Sequence, residues 1–163
     1  MSTRILDIDG RTDIPKVLFV DDDAGNRQAF HAAFRKEFDV MTASGMEEAW
    51  HFLNARNVDV LITDQRMPGT PGSELLRLVR DRFPEVRRML ITGYSDLQAL
   101  VNAINQGGVS NYIAKPWDPD QVRTLVRTAY GEVCAERDRS AYTQRLIESN
   151  RQLEFALRQR LLS

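Results

Sequence analysis

Between Lys16 and about Tyr130, short apolar runs alternate with longer stretches whose apolar residues recur every three or four positions. The runs read as strands and the stretches as amphipathic helices. Lys16–Val20 is the first strand, followed by a helix over Ala24–Lys36 with Ala29, Phe30, Ala33 and Phe34 on its inner side. Phe38–Ala43 is the second strand. Ser44 with Glu47 three residues on predicts a capping box for a helix that buries Met46, Ala49 and Leu53. Asp59–Thr63 is β-branched and apolar, as a strand buried on both faces should be. The breaker cluster Met67-Pro68-Gly69-Thr70-Pro71-Gly72 leads into a helix from Ser73 to about Arg82, with Leu75, Leu76, Leu78 and Val79 inward. Val86–Thr92 holds the fourth strand, from about Arg88. Ser95 is expected to cap the next helix, which buries Leu97, Leu100, Val101 and Ile104 and closes through a left-handed residue at Gly107-Gly108. Asn111–Ala114 is the fifth strand. Asp118 caps the last helix, Pro119 takes its first position, and Val122, Leu125, Val126 and Ala129 form its core face.

Five strand–helix units predict an α/β fold with a doubly wound, five-stranded parallel sheet. In the flavodoxin-like order 2-1-3-4-5, the order reverses between the first and third strands, and ligands bind there, outside the carboxyl ends. Residues 1–14 read as a leader, 15–130 as the domain, and 131–163 as a helical linker extending the last helix. From Glu132 to Leu162 there is no proline or glycine. Leu146, Asn150, Leu153 and Leu157 follow the 4-3-4 spacing of a coiled-coil seam, and Asn at an a-type position is a register-setting device. The seam runs out at Thr143, Arg139 and Glu136 in one direction and Arg160 in the other, so about two heptads are convincing. A solvated single helix is the plainer reading, and a parallel dimer the preferred one.

Composition narrows the class. No apolar run approaches the roughly 20 residues that span a bilayer. Asp7, Asp9 and Asp13 deny the amino terminus the apolar core of a secretion signal. The single cysteine, Cys134, fits a reducing cytoplasm. Net charge is −1 with no basic block, which argues against direct nucleic-acid contact by this segment. Of 22 basic residues only Lys16, Lys36 and Lys115 are lysines, so a lysine at 115 stands out. Lysine offers a compact point charge where arginine offers a rigid fork.

The candidate chemistry sits at the strand ends. Asp21 and Asp22 follow the first strand, Asp64 follows Thr63, and Lys115 follows Tyr112-Ile113-Ala114 and precedes Pro116. Two like charges about 4 Å apart cost roughly 4 kcal/mol at an effective dielectric near 20. Three acids gathered at one sheet edge therefore need a divalent cation, a proton or a lysine. Asp23 reads as a solvated helix-start residue. His31 and His51 have no partner at ligand spacing and read as surface positions. Trp50 reads as a cover for the sheet edge.

Taken together, Val20-Asp21-Asp22, Asp64 with Met67-Pro68-Gly69, Thr92-Gly93 and Lys115-Pro116 resemble the receiver domain of two-component response regulators over residues 16 to about 129. The resemblance implies that Asp64 is the phosphoacceptor. Mg²⁺ would be held by Asp22, Asp64 and the backbone carbonyl of Arg66, with Asp21 acting largely through water, which suits an ion that keeps several waters. Lys115 and Thr92 would contact the phosphoryl oxygens, Thr92 and Tyr112 would form the switch pair, and the Lys115–Pro116 bond would be cis. It also implies a sensor histidine kinase or phosphotransfer protein as partner and no catalytic effector within this chain. Arg66 and Tyr94 depart from smaller residues and flank the path of an attacking water, implying a phosphorylated state that outlasts minutes. Trp117 stands where phenylalanine is common. The alternative is a pseudo-receiver, an interaction and dimerisation module independent of phosphorylation. A flavin or nucleotide enzyme is disfavoured, because Asp22-Asp23-Ala24-Gly25-Asn26 stands where a glycine-rich phosphate loop would be.

Overall fold

The computed structural model describes residues 14–106 and 108–162, with the side chain of Tyr94 left aside. The expected leader falls outside the described residues except for Ile14, as does the left-handed closure at Gly107. The chain divides into two units at Tyr130/Gly131.

In the first unit, β1 (Lys16–Val20), β2 (Asp39–Ala43), β3 (Val60–Asp64), β4 (Arg87–Thr92) and β5 (Asn111–Ala114) form one sheet in the order β2-β1-β3-β4-β5. All four pairings are parallel. Helices α1 (Ala24–Phe34), α2 (Met46–Ala55), α3 (Gly72–Arg82), α4 (Leu97–Asn105) and α5 (Pro119–Leu162) alternate with the strands. Successive strand side chains point to opposite faces, and β1 shows the result. Val17 and Phe19 join Phe30 and Phe34 of α1 and Val122 and Val126 of α5. Leu18 and Val20 join Leu53 of α2, Leu75 and Leu76 of α3 and Leu100 of α4. The doubly wound sheet read from the sequence is therefore the observed one.

Four local expectations are corrected. Ser44 does not form a capping box with Glu47: Gly45 is the residue before α2, and the Ser44 hydroxyl donates to Glu48 instead. Ser95 does not cap α4, because a 3-10 turn over Tyr94–Asp96 moves the helix start to Leu97. Leu97, Val101 and Ile104 are exposed, and only Leu100 and Ala103 of α4 are buried. This helix is apolar around more than half of its circumference, and the sheet covers one stripe of it. In α1, Phe30 and Phe34 reach the core while Ala29 and Ala33 face solvent. Asp118 does accept a hydrogen bond from the Asp120 N–H at the start of α5.

In the second unit, α5 continues through Gly131 to Leu162. Every described side chain from Asp138 onward is exposed.

Candidate functional site

The parallel register aligns four strand ends. Val20 pairs with Thr63, Asp64 with Ile91, and Thr92 with Ala114. Asp21 follows β1 by one residue and Lys115 follows β5 by one, so the sheet places Asp21, Asp64, Thr92 and Lys115 at its carboxyl end, while Tyr112 lies within β5 opposite Leu90. The Asp21 N–H donates to the Ala43 carbonyl at 3.1 Å, and the Lys115 N–H to the Thr92 carbonyl at 3.0 Å.

Asp21, Asp22 and Asp64 each bring a carboxylate oxygen within 4.8 Å of the others. Asp21 and Asp64 are buried, whereas Asp22 is exposed. Lys115 Nζ lies 2.5 Å from Asp64 Oδ1. That oxygen is buried and, the lysine ion pair apart, accepts no aligned hydrogen bond. The Thr92 hydroxyl donates to the Gly93 carbonyl at 3.3 Å, and Tyr112 is 53% exposed. The Lys115–Pro116 bond is cis. A cleft of about 390 Å³ opens beside the acids, lined by Asp21, Asn26, Lys115 and Trp117 among others.

Several supporting residues were not legible in the sequence. Asn26 Nδ2 donates to Asp21 Oδ2 at 3.0 Å, and the Asp23 N–H to Asp21 Oδ1 at 2.9 Å, so both Asp21 oxygens are aimed by the start of α1. Arg27 holds the Asp21 carbonyl at 2.7 Å. The Arg66 guanidinium lies on Asp96, its Nε 2.9 and 3.1 Å from the two carboxylate oxygens. Gly72 packs so tightly under the loop after β3 that a Cβ there would sit 2.1 Å from the Asp64 carbonyl oxygen. Asp23 is the N-cap of α1, and His31 and His51 are exposed, as their sequence context suggests. Trp50 packs against Phe83 with ring centroids 5.5 Å apart.

Burial pushes the Asp21 carboxyl above its ordinary value of 3.8, and the neighbouring Asp64 pushes the same way. The Asp23 and Asn26 hydrogen bonds and Lys115 oppose this without cancelling it. A carboxyl raised in the folded state favours folding most when protonated, below its unfolded pKa. That contribution is lost as pH rises through the folded pKa. At neutral pH the ionised Asp21 is therefore a net cost. Without divalent cations, Asp21→Asn should raise the melting temperature at pH 7. The gain should shrink as the pH falls through the raised Asp21 value, and on adding Mg²⁺. Calorimetry across pH, with and without chelator, measures it, and an Asp21→Asn protein no more stable than wild type at pH 7 contradicts it.

The donor set fits a small hard cation. Three carboxylate groups converge, one buried oxygen accepts no aligned hydrogen bond, and among the described residues neither His nor Cys joins the cluster. Among the described residues no helix is long and apolar enough to cross a membrane.

Residues 17–127 match the family described as the response regulator receiver domain. The chain is 42% identical over 113 residues to the hydrogenase transcriptional regulatory protein HoxA of Cupriavidus necator, covering 69% of this chain and 23% of that one. It is 35% identical over 114 residues to the DNA-binding transcriptional regulator NtrC of Escherichia coli, covering 69% of this chain and 24% of that one. It thus spans about a quarter of the length of these relatives. Among solved structures, the signal receiver domain of an HD domain-containing protein from Pseudomonas fluorescens superposes with a TM-score of 0.73 at 28% identity, over 85% of this chain and 96% of the other. With the sheet order, the acid cluster and these matches in agreement, the chain belongs to the response regulator receiver domain family.

Proposed function

We propose that this chain is a phosphoacceptor in two-component signalling, taking a phosphoryl group onto Asp64 from the phosphohistidine of a sensor kinase or phosphotransfer protein. The observation that carries this reading is the buried Asp64 carboxylate, 2.5 Å from Lys115 and gathered with Asp21 and Asp22. A carboxylate oxygen of Asp64 attacks phosphorus as the P–N bond breaks, and the imidazole leaves with a proton from solvent. Asp22, Asp64 and the Arg66 carbonyl would hold Mg²⁺ directly, with Asp21 reaching it through water. Bound there, the ion supplies charge neutralisation of the transferring group. Lys115 meets one phosphoryl oxygen as a point charge. Thr92 exchanges its Gly93 carbonyl for another. The donor would approach through the cleft that Asp21 and Lys115 line.

The resemblance supports the relay. As Thr92 moves toward the phosphoryl group, Tyr112 turns inward to fill the space. The face of α4, β5 and α5, which displays Leu97, Val101 and Ile104, is then reshaped. The protein works in the cytoplasm beside its kinase, and it assists its own phosphoryl transfer without being an enzyme. Incubation with labelled acetyl phosphate and Mg²⁺ tests the reading. Label that appears with Mg²⁺ and vanishes with chelator supports it. Absence of label with both acetyl phosphate and a histidine kinase favours a pseudo-receiver.

The C-terminal helix is proposed to pair with a second copy in parallel, placing Asn150 against Asn150. A seven-residue repeat exhausts the seam at Thr143 and Arg160. An eleven-residue repeat instead passes through Tyr142, Leu146, Asn150, Leu153, Leu157 and Leu161. All five apolar residues of that set are exposed. Such a repeat gives a slightly right-handed pair. By sedimentation equilibrium, the double substitution Leu153→Asp, Leu157→Asp should convert a dimer to a monomer, with a shift in the dissociation constant of at least about a hundredfold, or roughly 3 kcal/mol. Thr143→Asp should leave the dimer intact. A wild-type monomer under all conditions, phosphorylated or not, removes the pairing.

A further inference from the structure

Arg66 and Asp96 lie 30 residues apart in the chain and meet beside the acid cluster. Arg66 rides the loop after β3, two residues past Asp64. Asp96 closes the 3-10 turn after β4 and is the residue immediately before α4. The Arg66 side chain is 68% exposed and uses only its Nε on Asp96, so its two terminal nitrogens are unspent on this partner. Asp96 makes no capping bond to α4, although aspartate is among the best N-cap residues. The ion pair thus occupies the carboxylate that α4 would otherwise use.

The charge balance of the site says when this pair should break. With a divalent cation bound, the three carboxylates are offset by the cation and Lys115. Phosphorylation replaces the single charge of Asp64 with about two, so the site becomes one charge too negative. An exposed ion pair is worth at most about a factor of five in equilibrium. A guanidinium gripping phosphoryl oxygens through two charge-assisted bonds is worth considerably more. Arg66, two residues past Asp64, is a cation held on Asp96 rather than on the three acids.

We infer that Arg66 exchanges Asp96 for the phosphoryl group on Asp64, and that the released Asp96 carboxylate then caps α4. Arg66 thereby serves the reaction twice, through its backbone carbonyl toward the cation and its side chain toward the phosphoryl oxygens. Capping requires Asp96 to rotate from its present ψ of 21° into the extended region, which converts the 3-10 turn into a defined helix start. The charge change at Asp64 then reaches α4 through a covalently short path, in addition to Thr92. The inference rests on the phosphoacceptor reading for its trigger, but the cap competition can be tested without it.

The experiment uses the full chain, with beryllofluoride and Mg²⁺ as the probe. Fluorine resonances report binding, and amide hydrogen exchange at Gln98 and Ala99, the donors an Asp96 cap would satisfy, reports capping. In wild type those amides should slow when beryllofluoride binds. Arg66→Ala should slow them with no ligand present, because Asp96 is already free, and should weaken beryllofluoride binding roughly tenfold. Asp96→Ala should tighten binding by up to about fivefold and leave the amides fast in both states. Asp96→Asn cannot hold the arginine but can still cap, so it should show slow amides without ligand. If Arg66→Ala leaves Gln98 and Ala99 exchange unchanged in the unliganded protein, the cap competition is wrong whatever Asp64 does. If capping follows the scheme but beryllofluoride affinity is unaffected by Arg66→Ala, the arginine does not reach the phosphoryl group and the exchange is overturned. Failure of wild type to bind beryllofluoride at all overturns the phosphoacceptor reading itself, and the exchange with it.

Discussion

With Asp64 replaced by asparagine, label from acetyl phosphate in Mg²⁺ is expected to fall below detection, a loss on the order of a thousandfold or more. An amide is not a nucleophile toward phosphorus, and it leaves Lys115 without the anion that sits 2.5 Å away. The loss should be chemical rather than structural. Asparagine keeps the shape of the aspartate side chain and lowers the repulsion among the three acids, so the folded protein should be as stable as wild type or more so. Intact-mass measurement after labelling, alongside a thermal melt, separates the two effects. Asp21 is the competing acceptor, being equally buried. Its oxygens are already engaged by the Asp23 N–H and Asn26, whereas Asp64 Oδ1 accepts no aligned hydrogen bond. Label that survives in the Asp64→Asn protein and disappears with Asp21→Asn would move the acceptor to Asp21.

The second large effect is structural and lies eight residues further on. Gly72→Ala should lower stability by about 3 kcal/mol or more, at the upper end of overpacking costs. That corresponds to a fall in melting temperature of roughly 10 °C. The added Cβ would stand 2.1 Å from the Asp64 carbonyl oxygen, 2.9 Å from its carbon and 3.1 Å from Gln65 Cα. None of these atoms can yield cheaply. Asp64 is locked into the β3–β4 ladder opposite Ile91, and the Gly72 N–H donates to the Gln65 carbonyl at 3.0 Å. Any relief therefore displaces Asp64, the proposed acceptor. Gly131→Ala is the control: a Cβ there meets nothing within 4 Å, and in a helix alanine gains up to about 1 kcal/mol over glycine. Calorimetry on both proteins measures the contrast, and equal melting temperatures would refute the account of the brace.

The framework and the acids were legible because both follow from the chain locally. A strand buried on two faces must be apolar throughout, so a charge at its end is conspicuous. Asp21 and Asp64 were visible for that reason, Lys115 because lysines are scarce and Pro116 follows it, and parallel pairing then brings them together. The sequence misled where a helix had more apolar surface than the sheet could cover, as with Leu97, Val101 and Ile104. It misled again at helix starts, where Ser44 and Ser95 offered plausible caps but Glu48 and the 3-10 turn prevailed. Asn26, Arg27 and Asp96 escaped notice for a different reason. An asparagine near a helix start or an arginine on a surface is ordinary, and its meaning appears only when a partner distant in sequence lies against it. Gly72 was read as a loop breaker, while its actual role is to leave room for the backbone of Asp64.

The aromatic packing has a practical consequence. The chain has two tryptophans. Trp117 lies 5.8 Å from the Phe30 ring and 5.7 Å from that of Phe34, and it forms one wall of the cleft beside Lys115. Trp50 belongs to the core on the opposite side of the sheet. Replacing Trp50 by phenylalanine leaves a single indole emitter, on the wall of the cleft that Asp21 and Lys115 also line. The proposed cation uptake and phosphoryl transfer would then be followed as a change in intrinsic fluorescence in a stopped-flow mixer, without any attached dye.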